Sequence, residues 1–275
     1  MNYIQITISV SNQELKEQLM AELAAIGFDG FEETEAGLKS YTTEANFNEN
    51  ELGILLASAG VKYEITIIQK QNWNKLWESN FEPVVVDDFV SIRADFHEPI
   101  RGVEHEMIIT PKMSFGTGHH ATTFLMMQLM RELEFTNKTV FDFGTGTGIL
   151  AILAEKLGGG TILAVDNDDW CIENAQENIE KNNCTKIVIQ KVENAALETR
   201  FDIVIANINK HIILENLQYL NQNIVENGPI LLSGLLQEDE PDIMEACTKI
   251  GWLPVKTIEK SNWIAIWFIK QPSEI

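Results

Sequence analysis

The sequence predicts an α/β chain in two parts, a small α+β ferredoxin-like domain followed by a larger Rossmann-like one. Three observations predict it. Residues 3–69 read β-α-β-β-α-β, the split βαβ order of a small domain with an open sheet. From Thr139 onward, apolar β-prone runs alternate with helix-prone runs, the signature of a parallel sheet with crossover helices. Between Thr139 and Ile152 a β-prone run, three alternate glycines and a helix-prone run follow one another, which reads as strand, tight turn, helix.

The first element is the run Tyr3–Val10, where Ile4, Ile6 and Ile8 alternate at the period of a strand. Ser11 with Glu14 three residues on predicts a capping box and a helix to about Ile26, ended by Gly27. Strand-like pieces follow around Gly30–Glu33 and Leu38–Thr43, then a helix over Asn48–Ala59 stopped by Gly60, then a strand from Tyr63 to Gln69. Residues 1–68 contain no histidine, no cysteine and no clustered glycine turn. They are read as a substrate-recognition domain rather than a site of chemistry. Over 69–82 a linker helix is expected, because Trp73, Leu76, Trp77 and Phe81 fall on one helical face. Packing of those aromatics onto a domain is favoured over stacking on a ligand.

Pro83 opens the second domain, residues 83–275, with short β segments at Val84–Val86, Val90–Arg93 and Met107–Ile109 around a polar loop. The stretch Met113–Thr123 is a glycine-rich turn, Phe115-Gly116-Thr117-Gly118, that enters a helix at Ala121–Glu132 past His119 and His120. Backbone N–H groups at such a helix entry suit a carboxylate. The two histidines are either ordinary helix-entry residues or part of that pocket, and no further ligands point to a metal.

The stretch Asp142-Phe-Gly-Thr-Gly-Thr-Gly148 carries the strongest signal. Glycine is needed where φ is positive or where a ligand lies against bare backbone, and the turn is expected to present free N–H groups at a helix N-terminus. It is not the dinucleotide fingerprint, because Ile149 stands where GxGxxG requires glycine, and no GK[ST] follows to make a phosphate loop. The next acid at a strand end, Asp166, lies 166 − 144 = 22 residues beyond Gly144, the offset at which a carboxylate meets a ribose. Two acids and no phosphate loop suit a ligand with ribose hydroxyls and a positive charge.

Further on, Asn167 or Asp168 caps a helix to about Asn182, Lys186–Val192 is a third strand ending near Glu193, and Phe201–Asn207 is a fourth. Asn207 ends that strand, where open α/β sheets bind ligands. Asn209 or Lys210 opens the next helix, and the Ile-Asn-Lys-His run there is notably polar and basic. Ile230–Leu236 is a strand, and Asp239 or Glu240 with Pro241 starts a helix to about Ile250. Leu253–Lys260 and Trp263–Lys270, joined by Ser-Asn, close the chain as a hairpin.

Composition narrows the partners. The chain has 275 residues, 45% hydrophobic, with 41 acidic against 20 basic side chains and a net charge of −21. Such a charge argues against direct binding of nucleic acid or an anionic membrane, and suits a basic protein partner or simple solubility. Three scattered cysteines without CxxC fit a reducing compartment. With no run long enough to span a bilayer and an N-terminus that opens on a strand pattern, the expected localisation is cytoplasmic.

The turn at 114–123, the Asp142–Ile152 motif, Ala164-Val-Asp-Asn-Asp168 and Ala206-Asn-Ile208 together resemble the PrmA family, methyltransferases of protein eleven of the large ribosomal subunit. The resemblance runs from about Trp73 to the C-terminus, and the small first domain shares the family's layout. It implies the class I S-adenosylmethionine-dependent methyltransferase fold and S-adenosylmethionine as cofactor. It also implies methylation of lysine side chains and the N-terminal amine of that basic protein; separately, the chain is expected to act as a monomer. Cofactor contacts carry over onto Thr123, Gly144, Asp166 and Asn207, with Gly146 giving backbone approach and Phe115, Gly116 and Thr117 holding the amino-acid end. Asn207 is expected to orient the acceptor amine and His120 to relay a proton. Other readings are a class I methyltransferase of a different substrate, a non-catalytic docking protein, and a nicotinamide oxidoreductase, the last disfavoured by Ile149.

Overall fold

A computed structural model describes residues 3–10, 12–34, 37–68, 82–110 and 116–272. The chain divides into two compact units, Met1–Asn80 and Phe81–Ile275. The linker helix read over 69–82, apart from Glu82, and Phe115 lie outside the described residues.

The first unit runs β1 (Tyr3–Ser9), α1 (Gln13–Ala25), β2 (Gly30–Thr34), β3 (Gly37–Thr43), α2 (Glu49–Ala59) and β4 (Lys62–Ile68). Its sheet has the order β2-β3-β1-β4 with every pair antiparallel, the ferredoxin-like arrangement. Ile6 and Ile8 alternate off β1 into a core shared with Leu19 and Leu23 of α1 and Leu52 and Leu56 of α2. The cap of α1 is Asn12 rather than Ser11: Asn12 Oδ1 accepts from Leu15 N at 2.9 Å. Asparagine caps as well as serine does, so the start moves by one residue, and Ser11 lies outside the described residues. Asn48 caps α2, and Gly60 ends it in the left-handed region.

The second unit begins with a three-stranded sheet of β5 (Val84–Val86), β6 (Val90–Arg93) and β7 (His105–Ile108). β7 starts two residues earlier than its apolar run, because it pairs with β6 from Val90 against His105. Next come α3 (Ala121–Met130), β8 (Thr139–Phe143), α4 (Ile149–Lys156), β9 (Thr161–Asp166), α5 (Asp169–Lys181) and β10 (Ile187–Lys191). β11 (Ile203–Asn207), α6 (Lys210–Asn223), β12 (Pro229–Leu236), a single 3₁₀ turn (Gln237–Asp239), α7 (Glu240–Lys249), β13 (Trp252–Lys260) and β14 (Trp263–Lys270) complete it. The sheet order is β10-β9-β8-β11-β12-β14-β13. The first five strands are parallel, and β14 runs antiparallel to both of its neighbours.

Alternation along each strand serves two cores. On β8 and β11, Val140, Ile203 and Ile205 pack with α3 and α4, whereas Phe141, Val204 and Ala206 pack with α6 and α7. A sheet covered on both faces requires such continuously apolar strands. Strand order reverses between β8 and β11, so a crevice opens at their carboxyl ends. Ser261 and Asn262 both take positive φ, 52° and 67°, the type I′ turn that matches strand twist. That hairpin brings the start of β14 to the same end of the sheet as the crevice.

Candidate active site

A cavity of about 430 Å³ occupies this crevice. Its wall is assembled from strand ends: Gly144–Gly146 after β8, Asp166 at the end of β9, Glu193 after β10, and Asn207–Asn209 after β11. Thr123 and His120, at the start of α3, and Gly116 also line it.

The glycine-rich turn differs from expectation in one respect. Three of its N–H groups are already taken: Gly144 N and Thr145 N both donate to Val165 O, at 2.9 and 2.8 Å, and Gly146 N donates to Asp166 Oδ2 at 2.9 Å. The Gly144–Gly146 part of the turn is bonded to the neighbouring strand and offers the cavity a backbone wall. Gly144 has φ +78°, and a Cβ there would fall 2.2 Å from Ile208 Cγ2. Glycine at 144 therefore lets the loop after β11 close on the turn after β8.

Asp166 accepts one bond on each oxygen, from Gly146 N and from Asp168 N at 3.2 Å. A carboxylate has about four acceptor sites, so two remain for a pair of vicinal hydroxyls. Behind the turn, Asp142 is 1% exposed. Burial pushes its carboxyl up to about 7, opposed by the Thr145 hydroxyl, which donates to Oδ2 at 2.6 Å, and aided by the negative charge of Asp166.

Asn207 faces the turn from β11. Its side chain belongs to a residue 8% exposed, its Nδ2 lies 3.5 Å from Thr123 Oγ1, and its Oδ1 has no hydrogen-bond partner. A buried acceptor left without a donor costs about 1–3 kcal/mol, and functional walls are where that cost is retained. His120 caps α3, with Nδ1 2.8 Å from Thr122 Oγ1, and its ring stands edge-on to Trp263 at 4.6 Å. Burial holds its pKa below the ordinary imidazole value.

Of the residues singled out in the sequence, Thr123, His120, Gly116, Gly144, Gly146, Asp166 and Asn207 come together on one cavity. Thr117 is missing from the described lining, and its hydroxyl sits 3.3 Å from His119 Nδ1. Phe115 lies outside the described residues. Sequence reasoning missed Trp263, Glu215 and Gly234, which also line it. Gly234 alone left a signal, a glycine inside an apolar strand, where a bulge or a close backbone approach is the usual cause. The register of β12 against β14 does shift between Leu232 and Leu235.

The family model described as "Ribosomal protein L11 methyltransferase (PrmA)" matches residues 5–271. The chain belongs to this family. A ribosomal protein L11 methyltransferase of Phocaeicola vulgatus is 35% identical over 279 residues, 98% of this chain and 99% of its own. One from Porphyromonas gingivalis is 38% identical over 258 residues, 91% of this chain and 89% of its own. A crystal structure of ribosomal protein L11 methylase from Lactobacillus delbrueckii subsp. bulgaricus superposes with a TM-score of 0.63 at 28% identity, over 70% of this chain and all of that one. A methyltransferase structure from Pyrococcus furiosus, at 17% identity and TM-score 0.51, shares the fold. The fold is thus that of the class I methyltransferases, and S-adenosylmethionine is the methyl donor of this PrmA chain. The residues present fit that donor: a carboxylate with spare acceptor sites at Asp166, a backbone wall at Gly144–Gly146, and an unpaired buried acceptor at Asn207. Among the described residues no cluster of histidine, cysteine and carboxylate suits a metal, and no helix is long and apolar enough to cross a membrane.

Proposed function

We propose that this chain methylates amines of ribosomal protein L11, at lysine side chains and the N-terminal α-amine, acting as a cytoplasmic monomer. The observation that carries the reading is Asn207 Oδ1, a buried acceptor without a donor, across the cavity from the Asp166–Gly146 turn. An incoming amine supplies the missing donor. The unit from residue 83 to the C-terminus is assigned the chemistry, residues 1–68 the recognition of the substrate protein, and 69–82 the link between them.

When bound, S-adenosylmethionine supplies an electrophilic methyl group on a positively charged sulfur. The chain's part is alignment, which contributes up to about 7–11 kcal/mol where reacting groups are held in near-attack geometry. Asp166 holds the ribose hydroxyls, Gly144 and Gly146 let the ligand approach the backbone, and Gly116 with Thr123 holds the amino-acid end. Asn207 accepts an N–H from the acceptor amine and so aims its lone pair. That amine must first lose a proton, and an ordinary lysine binds it with a pKa of about 10.4. His120, which burial holds below the ordinary imidazole value, is a much weaker base than that amine. It therefore passes the proton on to solvent instead of keeping it.

The purified chain, labelled S-adenosylmethionine and a panel of ribosomal proteins, read by mass spectrometry, test the reading. Label on lysine and N-terminal peptides of L11 is expected, and label elsewhere or nowhere would overturn it. Asn207→Ala should lower turnover on the order of a hundredfold while calorimetric affinity for S-adenosylmethionine changes far less. An unchanged turnover removes Asn207 from the acceptor site.

A further inference from the structure

The two glycine-rich turns are joined by one buried side chain that no step above uses. Thr147 lies in the first turn, is fully buried, and donates from Oγ1 to the carbonyl of Gly116 in the second turn at 2.6 Å. The contact spans 31 residues of chain. Thr147 is itself fixed from behind: its carbonyl accepts from Asn178 Nδ2 at 2.8 Å, and Asn178 Oδ1 accepts from Thr110 N at 2.8 Å. Asn178 stands fully buried on α5. A relay Asn178–Thr147–Gly116 thus runs from a rigid helix to the cavity wall, and the space between its last two members is closed. A Cβ on Gly116 would meet Thr147 Oγ1 at 2.9 Å.

We infer that Thr147 is a positioning residue for the amino-acid end of the donor, acting through Gly116. The inference rests on the reading above that the Gly116 turn holds that end. The physical argument is one of reach. Asp166, Glu193 and the Gly144–Gly146 wall belong to strand ends anchored in the sheet. Gly116 belongs to a loop, and its carbonyl is tied to the sheet unit through the Thr147 hydroxyl. Loss of that hydroxyl leaves the Gly116 carbonyl without its donor and releases the wall where the amino-acid end is held, while the ribose and adenine side keeps its anchors.

Two ligands separate these ends. S-adenosylhomocysteine carries the amino-acid end, and 5′-methylthioadenosine lacks it. Calorimetry on the full chain compares wild type with Thr147→Val, which keeps the shape and drops the donor, and with Thr147→Ser, which restores it. Thr147→Val should weaken S-adenosylhomocysteine about tenfold and leave methylthioadenosine within about twofold, and Thr147→Ser should return both to wild-type values. Equal weakening of both ligands, or of neither, overturns the inference. Thr147→Cys, a weak donor of similar size, carries the same comparison if the valine variant does not fold. Should wild type bind the two ligands alike, it is the reading of the Gly116 turn that fails. Should wild type discriminate and Thr147→Val discriminate equally well, only the role of Thr147 fails.

Discussion

Asp142 shows what a single residue contributes to the site and what it costs. Its carboxyl stands on β8, one residue before the strand ends, bonded by the Thr145 hydroxyl and by a backbone N–H at Ala151. It joins strand, turn and helix start at one point. Burial raises its native pKa to about 7, against about 3.9 in an unfolded chain. A carboxyl raised in this way binds its proton more tightly when folded. Its stabilising contribution is complete below about pH 4 and is lost as pH climbs to 7, leaving a penalty on the order of 4 kcal/mol above that. Asp142→Asn keeps an acceptor for Thr145 and removes the charge. The melting temperature of the variant should gain on wild type as pH rises from 5 to 8, and the difference should level off above about 7. A difference that stays flat across this range would mean that Asp142 ionises in the native state as it does in water.

At the scale of elements, the loop after β11 is the piece on which the site turns. Ile208 N donates to Ser233 O at 3.1 Å, and Ile208 is gripped between two glycines from opposite sides. A Cβ on Gly144 would meet the Ile208 side chain at 2.2 Å, and one on Gly234 would meet the Ile208 carbonyl oxygen at 2.3 Å. Both glycines have positive φ, +78° and +82°. The contacts differ in what can give way: a side-chain methyl can rotate, and a backbone carbonyl in a paired loop cannot. Gly234→Ala should therefore cost more stability than Gly144→Ala, by at least about 1 kcal/mol, and should lower turnover by displacing Asn207–Asn209. Denaturant unfolding of the two variants decides the order, and equal losses would show that the loop yields to both. The polar Ile-Asn-Lys-His run finds its reason nearby. Lys210 Nζ lies 2.7 Å from Asp239 and 3.0 Å from Asp242, while the other oxygen of Asp239 accepts from Leu236 N. The basic residue pins α6 to the end of β12.

The same scale shows why some of this was legible in the sequence and some was not. The Asp142–Gly148 turn, Asp166 and Asn207 could be read because each sits at the end of a strand, and strand periodicity is local. So could most element boundaries. Asn12 in place of Ser11 shows the limit of cap chemistry, since two good caps stood side by side. Trp263 and Glu215 could not be read as cavity residues, because only the pairing of β14 with β12 and the packing of α6 bring them to the carboxyl end of the sheet. The bonded state of the turn's N–H groups was hidden for the same reason. Val165 and Asp166 are distant in sequence and adjacent only through the register of β8 with β9.

For the whole molecule the question is how an acidic chain finds its substrate. A net charge of −21 on 275 residues sets up a field that attracts a basic protein and speeds encounter by roughly 10–10³-fold at low salt. Screening acts on encounter and leaves the aligned complex largely untouched. kcat/KM for L11 should therefore fall as ionic strength rises from low to several hundred millimolar, while kcat at saturating L11 stays nearly constant. The two units allow a finer division. Each has its own apolar core, Ile6, Ile8, Leu19 and Leu23 in the first and the two sheet faces in the second, so removal of residues 1–68 leaves the cavity's own elements whole. The truncated chain should bind S-adenosylmethionine by calorimetry as the full chain does and lose most of its kcat/KM for L11, with the salt dependence reduced. If it methylated L11 as fast as the full chain, recognition would belong to the catalytic unit, and the acidic field would act there alone.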